Sequence, residues 1–325
     1  MHLYCTLFDR NYVSRGLALY DSLLRHRRQF SLVVLCLDET THDILTTLAL
    51  PNMELVSLPL LEKWDPDLVR ARSERTTVEY YFTCKPVLMK FLAEKYANAR
   101  WITYLDSDLF YFADPRILER EYAHSTVALT PHRFPPRLSE RNQFGRFNAG
   151  WVSTSCGEEG RRFIEWWRVR CIEWCQLEAQ VERFGDQKYL DQVPGLFKDV
   201  AILDHVGANL APWNVDGLDI RGSGDGVAVD GKPLVFYHFH GVRKVLGRLY
   251  DSGLQGYGVQ LPAELRKCLY RPYLAKLSDG EDLVGSIRKR TGAPPISGNS
   301  TWTDSLRNFK RAAQLVASGT CVIGP

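Results

Sequence analysis

The chain has 325 residues, 45% of them hydrophobic and 24% charged, with a net charge of +3. That length can bury the core of one large α/β domain or two small ones, and so mild a charge leaves no footprint for nucleic acid. No run reaches the ~18 apolar residues of a membrane span, and the N-terminus enters an apolar run without the basic-then-apolar pattern of a leader.

Leu3 to Phe8 reads as the first strand, followed by a polar turn at Asp9-Arg10-Asn11-Tyr12. Leu17, Tyr20, Leu23 and Leu24 then recur at helical spacing between Gly16 and His26, with Ser14 as N-cap. Ser31 to Leu37 and Met53 to Leu58 are strands, separated by a helix over Thr40 to Leu48. This alternation predicts a doubly wound, mostly parallel sheet flanked by helices. A helix with Thr83 near its cap and Pro86 in its first turn leads into Trp101 to Leu105, an apolar strand that stops at Asp106-Ser107-Asp108.

Ligands of open α/β sheets bind outside the carboxyl ends of the strands. Two carboxylates there, two positions apart, can hold a divalent cation against a diphosphate. A polar turn with two solvated Asp is the bland reading, and the apolar strand before it and the aromatic run after it weigh against that. Thr126 to Thr130 and Phe147 to Ser153 are further strands, the second carrying Asn148-Ala149-Gly150. Residues 158–184 read as one long helix, and Asp186-Gln187 opens the next. Val200 to Leu203 and Leu234 to Tyr237 read as strands, the latter running into His238-Phe239-His240-Gly241.

The tail has helical patches at 265–277, 281–290 and 303–317, interrupted by Pro294-Pro295 and a Gly/Ser/Asn-rich stretch at 297–300. Residues 259–325 hold ten Lys or Arg and five Asp or Glu, so the tail is +5 and the rest −2. A solvated basic face is the first reading, and weak contact with an anionic lipid surface or acceptor the second. The eight cysteines include no C-x-x-C pair, so reduced thiols and a cytoplasmic location are expected, at most peripheral at the inner face of a membrane. Cys171 and Cys175 lie among Phe163, Trp166, Trp167 and Trp174, which reads as buried core rather than as a metal cluster or sugar platform.

Four polar islands thus fall at strand ends or helix starts: Asp9/Asn11/Tyr12, Asp106/Asp108, Asp186/Gln187 and His238/His240/Lys244. Together they fit a site for a metal, a diphosphate and a sugar. A strand-end His can give a neutral nitrogen to Mn²⁺, and a nearby Lys a point charge to phosphate.

At this point the sequence resembles the GT-A type nucleotide-sugar glycosyltransferases, and among them glycosyltransferase family 8. The resemblance spans residues 1–250 as an order of motifs. It implies a GT-A-like transferase domain over 1–258, with a basic helical extension over 259–325. It implies Mn²⁺ (or Mg²⁺) on Asp106, Asp108 and His238, the last from the H-x-x-G-x-x-K pattern His238 to Lys244. It implies a nucleotide diphosphate sugar donor, UDP-linked, held by Phe8, Asp9, Asn11, Tyr12, Lys85, Ser107, Asn148, Gly241 and Lys244. Asp186 and Gln187 would line the sugar site, with Lys244 on the leaving diphosphate, and the anomeric configuration would be retained. Trp213-Asn214 matches a later W-N element. The acceptor, a glycan, lipid or protein, stays open. The pattern departs from the family after Lys244, where Val245-Leu246 stand in place of Pro-Trp, and Thr130-Pro131-His132-Arg133 has no counterpart. Spacing alone does not separate His238 from His240, and the motif register selects His238. A nucleotidyltransferase would need a Gly-rich loop near its start, where residues 1–20 have only Gly16. A non-catalytic protein on the same fold is the other alternative, and an intact D-x-D, His238 and Lys244 weigh against it.

Overall fold

A computed structural model describes residues 1–27, 29–224, 226–291 and 302–325. The expected Pro294-Pro295 and 297–300 interruptions lie outside the described residues. In chain order the strands are β1 (His2–Phe8), β2 (Ser31–Cys36), β3 (Met53–Ser57), β4 (Trp101–Leu105), β5 (Leu109–Tyr111), β6 (Val127–Pro131), β7 (Phe147–Ser155) and β8 (Val200–Ile202). They continue with β9 (Ile220–Ser223), β10 (Gly226–Val229), β11 (Lys232–Pro233), β12 (Phe236–His238), β13 (Arg243–Leu246), β14 (Leu249–Asp251) and β15 (Cys321–Ile323). The chain divides into two compact units, and the boundary crosses the D-x-D motif between Ser107 and Asp108.

The first unit comprises Met1–Arg10, Arg27–Ser107 and Arg116–His205. Its seven-stranded sheet has the order β3-β2-β1-β4-β7-β6-β8. Strands β1 to β4 pair in parallel as their apolar runs require, whereas β7 is antiparallel to both β4 and β6. This reversal, which apolar content cannot signal, lays Asn148–Gly150 beside the end of β4. The Gly150 carbonyl accepts the Asp106 amide at 2.8 Å. Val33, Leu35, Leu88, Ile102, Phe163 and Trp167 share the core with Cys171 and Cys175, as expected for small apolar side chains.

Two helices of this unit differ from expectation. The Thr77–Lys95 helix starts six residues before Thr83, at a capping box in which Thr76 and Glu79 bond each other's backbone amides at 2.8 and 3.4 Å. Pro86 therefore lies inside the helix, and the carbonyl four residues earlier loses its usual donor. The helix expected over 158–184 stops at Glu173. Side chains capture the backbone beyond it: the Tyr189 hydroxyl donates to the Trp174 carbonyl at 2.9 Å, and Glu79 accepts the Leu177 amide at 2.8 Å.

The second unit comprises Asn11–His26, Asp108–Pro115 and Val206–Pro325. The Val13–His26 helix begins one residue before Ser14, which is therefore helical and not a cap. β5, read from sequence only as an aromatic run, pairs antiparallel with β12, with Leu109 opposite His238. Phe110, Tyr237, Phe239, Leu269, Tyr270 and Tyr273 form the core around this pair. The tail belongs to this unit. The Arg271–Thr291 helix is continuous over much of the two patches expected separately, and β15 joins the sheet β13-β14-β15. Two of its basic residues are structural. Arg288 is buried, and Arg311 donates to the buried Asp251 at 2.8 and 3.2 Å. Among the described residues no helix is long and apolar enough to cross a membrane.

Candidate functional site

In the second unit, β5 starts directly after Asp108 and β12 ends at His238. The Asp108 carbonyl accepts the Phe239 amide at 2.9 Å, and the Leu210 carbonyl accepts the His238 amide at 2.7 Å. These bonds hold Asp108 and His238 on one strand end, where His238 Nε2 lies 3.0 Å from Asp108 Oδ1. His240 completes the group: ligand atoms of Asp108, His238 and His240 lie within 4.8 Å of one another. The two imidazoles meet edge to face at 5.7 Å, and the Trp213 ring packs edge-on against both, at 5.4 and 5.7 Å. Burial works against ionisation of Asp108, but the charges of His238, His240 and Arg15 outweigh it and hold the carboxyl well below its usual range.

Gly241 turns the chain after His240 at φ +77°, a conformation that favours glycine. Gly253 faces it, and a Cβ there would lie 2.4 Å from the His240 carbonyl, so a side chain at 253 would displace that loop. Trp213 is held through its neighbour: Asn214 accepts the Ala211 amide and donates to the Asn209 carbonyl, each at 2.9 Å. Lys244 is turned to Glu281, Nζ to Oε2 2.7 Å, and lies over the Tyr250 ring at 5.7 Å. Arg15 donates to the Val242 carbonyl at 2.7 Å and covers the ring of Tyr12 at 4.4 Å. Asn11 and Tyr12 are exposed just before the Val13–His26 helix.

The first unit gathers the other expected residues at the end of β4. Lys85 is buried, with Nζ 3.1 Å from both Asp106 Oδ1 and Asp186 Oδ2. The Tyr104 hydroxyl donates to Asp106 at 2.9 Å. Burial disfavours the Lys85 charge, yet the two carboxylates prevail and raise its pKa. Asp186 is also shifted upward, by its own burial, with Lys85 opposing and Asp106 adding to the shift. Trp167 donates to the Asp186 carbonyl at 2.8 Å.

Gln187 bridges backbone. Its amide donates to the Phe144 carbonyl at 2.9 Å and accepts the Ala149 amide at 3.2 Å. Asn148 is buried, with its side chain accepting the Gly150 amide at 2.9 Å. Phe8 and Ser107 are buried at the ends of β1 and β4, and Asp9 follows β1 beside Arg10, which pairs with Asp38 at 3.0 Å.

Asp106 and Asp108 thus have different partners, a lysine for one and imidazoles for the other. Two participants were not singled out from the sequence. Tyr104 alternates within an apolar strand, and Arg15 looks like any cation on the polar side of a helix.

No family model matches the chain. Two relatives from Bacillus subtilis (strain 168) do. YfnD is 33% identical over 286 residues, covering 87% of this chain and 91% of that protein. YfnF is 32% identical over 251 residues, covering 74% and 82%. Among solved structures, the galactosyltransferase LgtC in complex with donor and acceptor sugar analogs matches with a TM-score of 0.53 at 17% identity, over 88% of this chain and 96% of that one. An active-site mutant of LgtC gives 0.52 at 16% identity over the same shares. The chain belongs to the family of YfnD and YfnF, and its fold is the α/β GT-A glycosyltransferase fold, resembling that of glycosyltransferase family 8.

Proposed function

We propose that this protein is a metal-dependent glycosyltransferase that moves a sugar from a nucleotide diphosphate sugar, UDP-linked, to an acceptor hydroxyl with retention of anomeric configuration. The observation that carries this reading is the group Asp108, His238 and His240 at one strand end of a GT-A fold. One carboxylate and two imidazoles suit a borderline divalent cation such as Mn²⁺, so the residues fit the group. A cation held there would supply positive charge to the diphosphate as the anomeric bond breaks.

The side chains have separable tasks in this reading. Asp108, His238 and His240 hold the cation, and Trp213 fixes both imidazole planes. Gly241 sets the turn that brings the loop carrying Lys244 behind it, and Lys244 exchanges Glu281 for phosphate oxygen. Asn11 and Tyr12 flank the nucleoside. Asp186 and Asn148 receive sugar hydroxyls, and Gln187 keeps the start of β7 in place for them. Lys85 holds the Asp106 and Asp186 side chains together and opposes the upward pull of burial on Asp186.

The test is a panel of UDP-, GDP- and ADP-sugars incubated with the protein and Mn²⁺, with free sugar measured over hours. A transferase without its acceptor hydrolyses its donor slowly with water. The reading expects release from one donor class, abolished by chelation and restored by Mn²⁺. A panel with no metal-dependent release and no nucleotide binding would overturn it.

A further inference from the structure

The H-x-x-G-x-x-K pattern gives the diphosphate one basic partner, Lys244. In the structure that charge is already paired, with Glu281 at 2.7 Å. A doubly charged cation on one carboxylate and two neutral imidazoles leaves a single positive charge, against about two negative charges on a diphosphate diester. The second unit holds another cation in the same loop system. Arg15 reaches from the Val13–His26 helix to the Val242 carbonyl, within the pattern itself and next to Gly241. Its guanidinium covers the ring of Tyr12 at 4.4 Å, and the carbonyl it holds lies two residues after His240. Arg15 therefore touches the loop of the pattern and lies against the tyrosine before its helix.

We infer that Arg15 is a diphosphate-binding residue, its guanidinium anchored on Val242 and facing the phosphate oxygens beside the Asp108, His238 and His240 group. This rests on the donor reading above and adds a residue to it. A guanidinium stays charged at every relevant pH and has five donors in a planar fork. One donor on Val242 fixes the plane, and others meet oxygens that a point charge would hold with less geometry. The Tyr12 ring below limits where the fork can swing. Among the described residues Arg15 is in no carboxylate ion pair within 4.0 Å, whereas Lys244 has to leave Glu281 first.

Binding is read by calorimetry with Mn²⁺ and matched mono- and diphosphates, UMP against UDP, GMP against GDP and AMP against ADP. The parent is expected to prefer the diphosphate of one base. In Arg15→Gln, which keeps a polar side chain but no charge and ends short of Val242, diphosphate affinity should fall about ten- to hundredfold, while monophosphate affinity changes little. Arg15→Lys should recover part of the loss. Thermal melts of both variants confirm that the fold stands. An unchanged diphosphate-to-monophosphate ratio in Arg15→Gln would overturn the inference and leave the donor reading intact. An equal loss for both nucleotides would make Arg15 a loop support only. A parent that binds none of the six nucleotides with Mn²⁺ overturns the donor reading and this inference together.

Discussion

His238 Nε2 and Asp108 Oδ1 lie 3.0 Å apart because β5 and β12 pair with Leu109 opposite His238. The two residues therefore share one strand end of the second unit, and His240 joins them two residues on. The strand ends at His238, and His240 sits with Gly241 in the middle of the turn that the Val242 amide closes on the Phe239 carbonyl at 3.2 Å.

Asp108→Ala, His238→Ala and His240→Ala should each weaken Mn²⁺ binding. Loss of an outer-shell partner lowers metal affinity ~10- to 100-fold, so loss of a direct ligand should do at least that. Calorimetric titration with Mn²⁺ checks each variant. Parental affinity in His240→Ala would leave His238 as the only imidazole ligand, as the motif register alone implies.

Lys85→Met should destabilise the fold, because it leaves Asp106 and the buried Asp186 without their shared cation. Breaking one side of a buried pair costs about 3–5 kcal/mol. The loss should shrink as pH falls. Without Lys85 the folded-state pKa of Asp186, already raised, lies higher still, so the folded state binds protons that the unfolded state does not and gains stability on acidification. Urea unfolding at pH 5 and pH 8 tests the sign. A larger deficit at pH 5 would contradict the assignment.

Glu281→Ala should free Lys244, whose direct pair with Glu281 is exposed to solvent. Exposed pairs of this kind contribute about 0–1 kcal/mol, so stability should barely change. Donor affinity should rise by a few fold, and Lys244→Ala should lower turnover by roughly 10²-fold with a smaller effect on donor binding. Steady-state hydrolysis of the donor separates the two. Equal kinetics in Glu281→Ala and parent would mean that the pair does not compete with the nucleotide.

Acid should weaken the first unit through His2. Burial first, and then the charge of Arg27, lowers the pKa of this imidazole to about 3. The ring is therefore neutral, and its 3.4 Å approach to Glu119 is not an ion pair. The unfolded chain takes up a proton near pH 6.5 and the folded one only near pH 3. Stability from this group is thus complete above pH 6.5 and lost progressively as pH falls from there toward 3. His2→Gln, which can still bond Thr103, should show a flatter stability profile across that window. The same slope in parent and variant would assign the acid sensitivity to other groups.

The sequence by itself determined the parallel strands β1 to β4, because apolar runs that must be buried on both faces have few other places to go. It also placed Asp106, Asp108 and His238 at strand ends, since the first polar residues after an apolar run mark where the strand stops. Direction and partnership needed the tertiary structure. β7 reads as apolar in either sense, and only its pairing with β4 and β6 makes it antiparallel. The helix after Glu158 keeps a helical pattern past Glu173, and it ends because Tyr189 and Glu79, both distant in sequence, take its backbone groups. The division of the D-x-D was equally hidden. Carboxylates two positions apart look equivalent in sequence, but Asp106 faces a lysine from the middle of a helix and Asp108 lies with two imidazoles, from a strand end and the turn after it, more than a hundred residues on. Long-range contacts of that kind carry the electrostatics of the site, and no local pattern of residues records them.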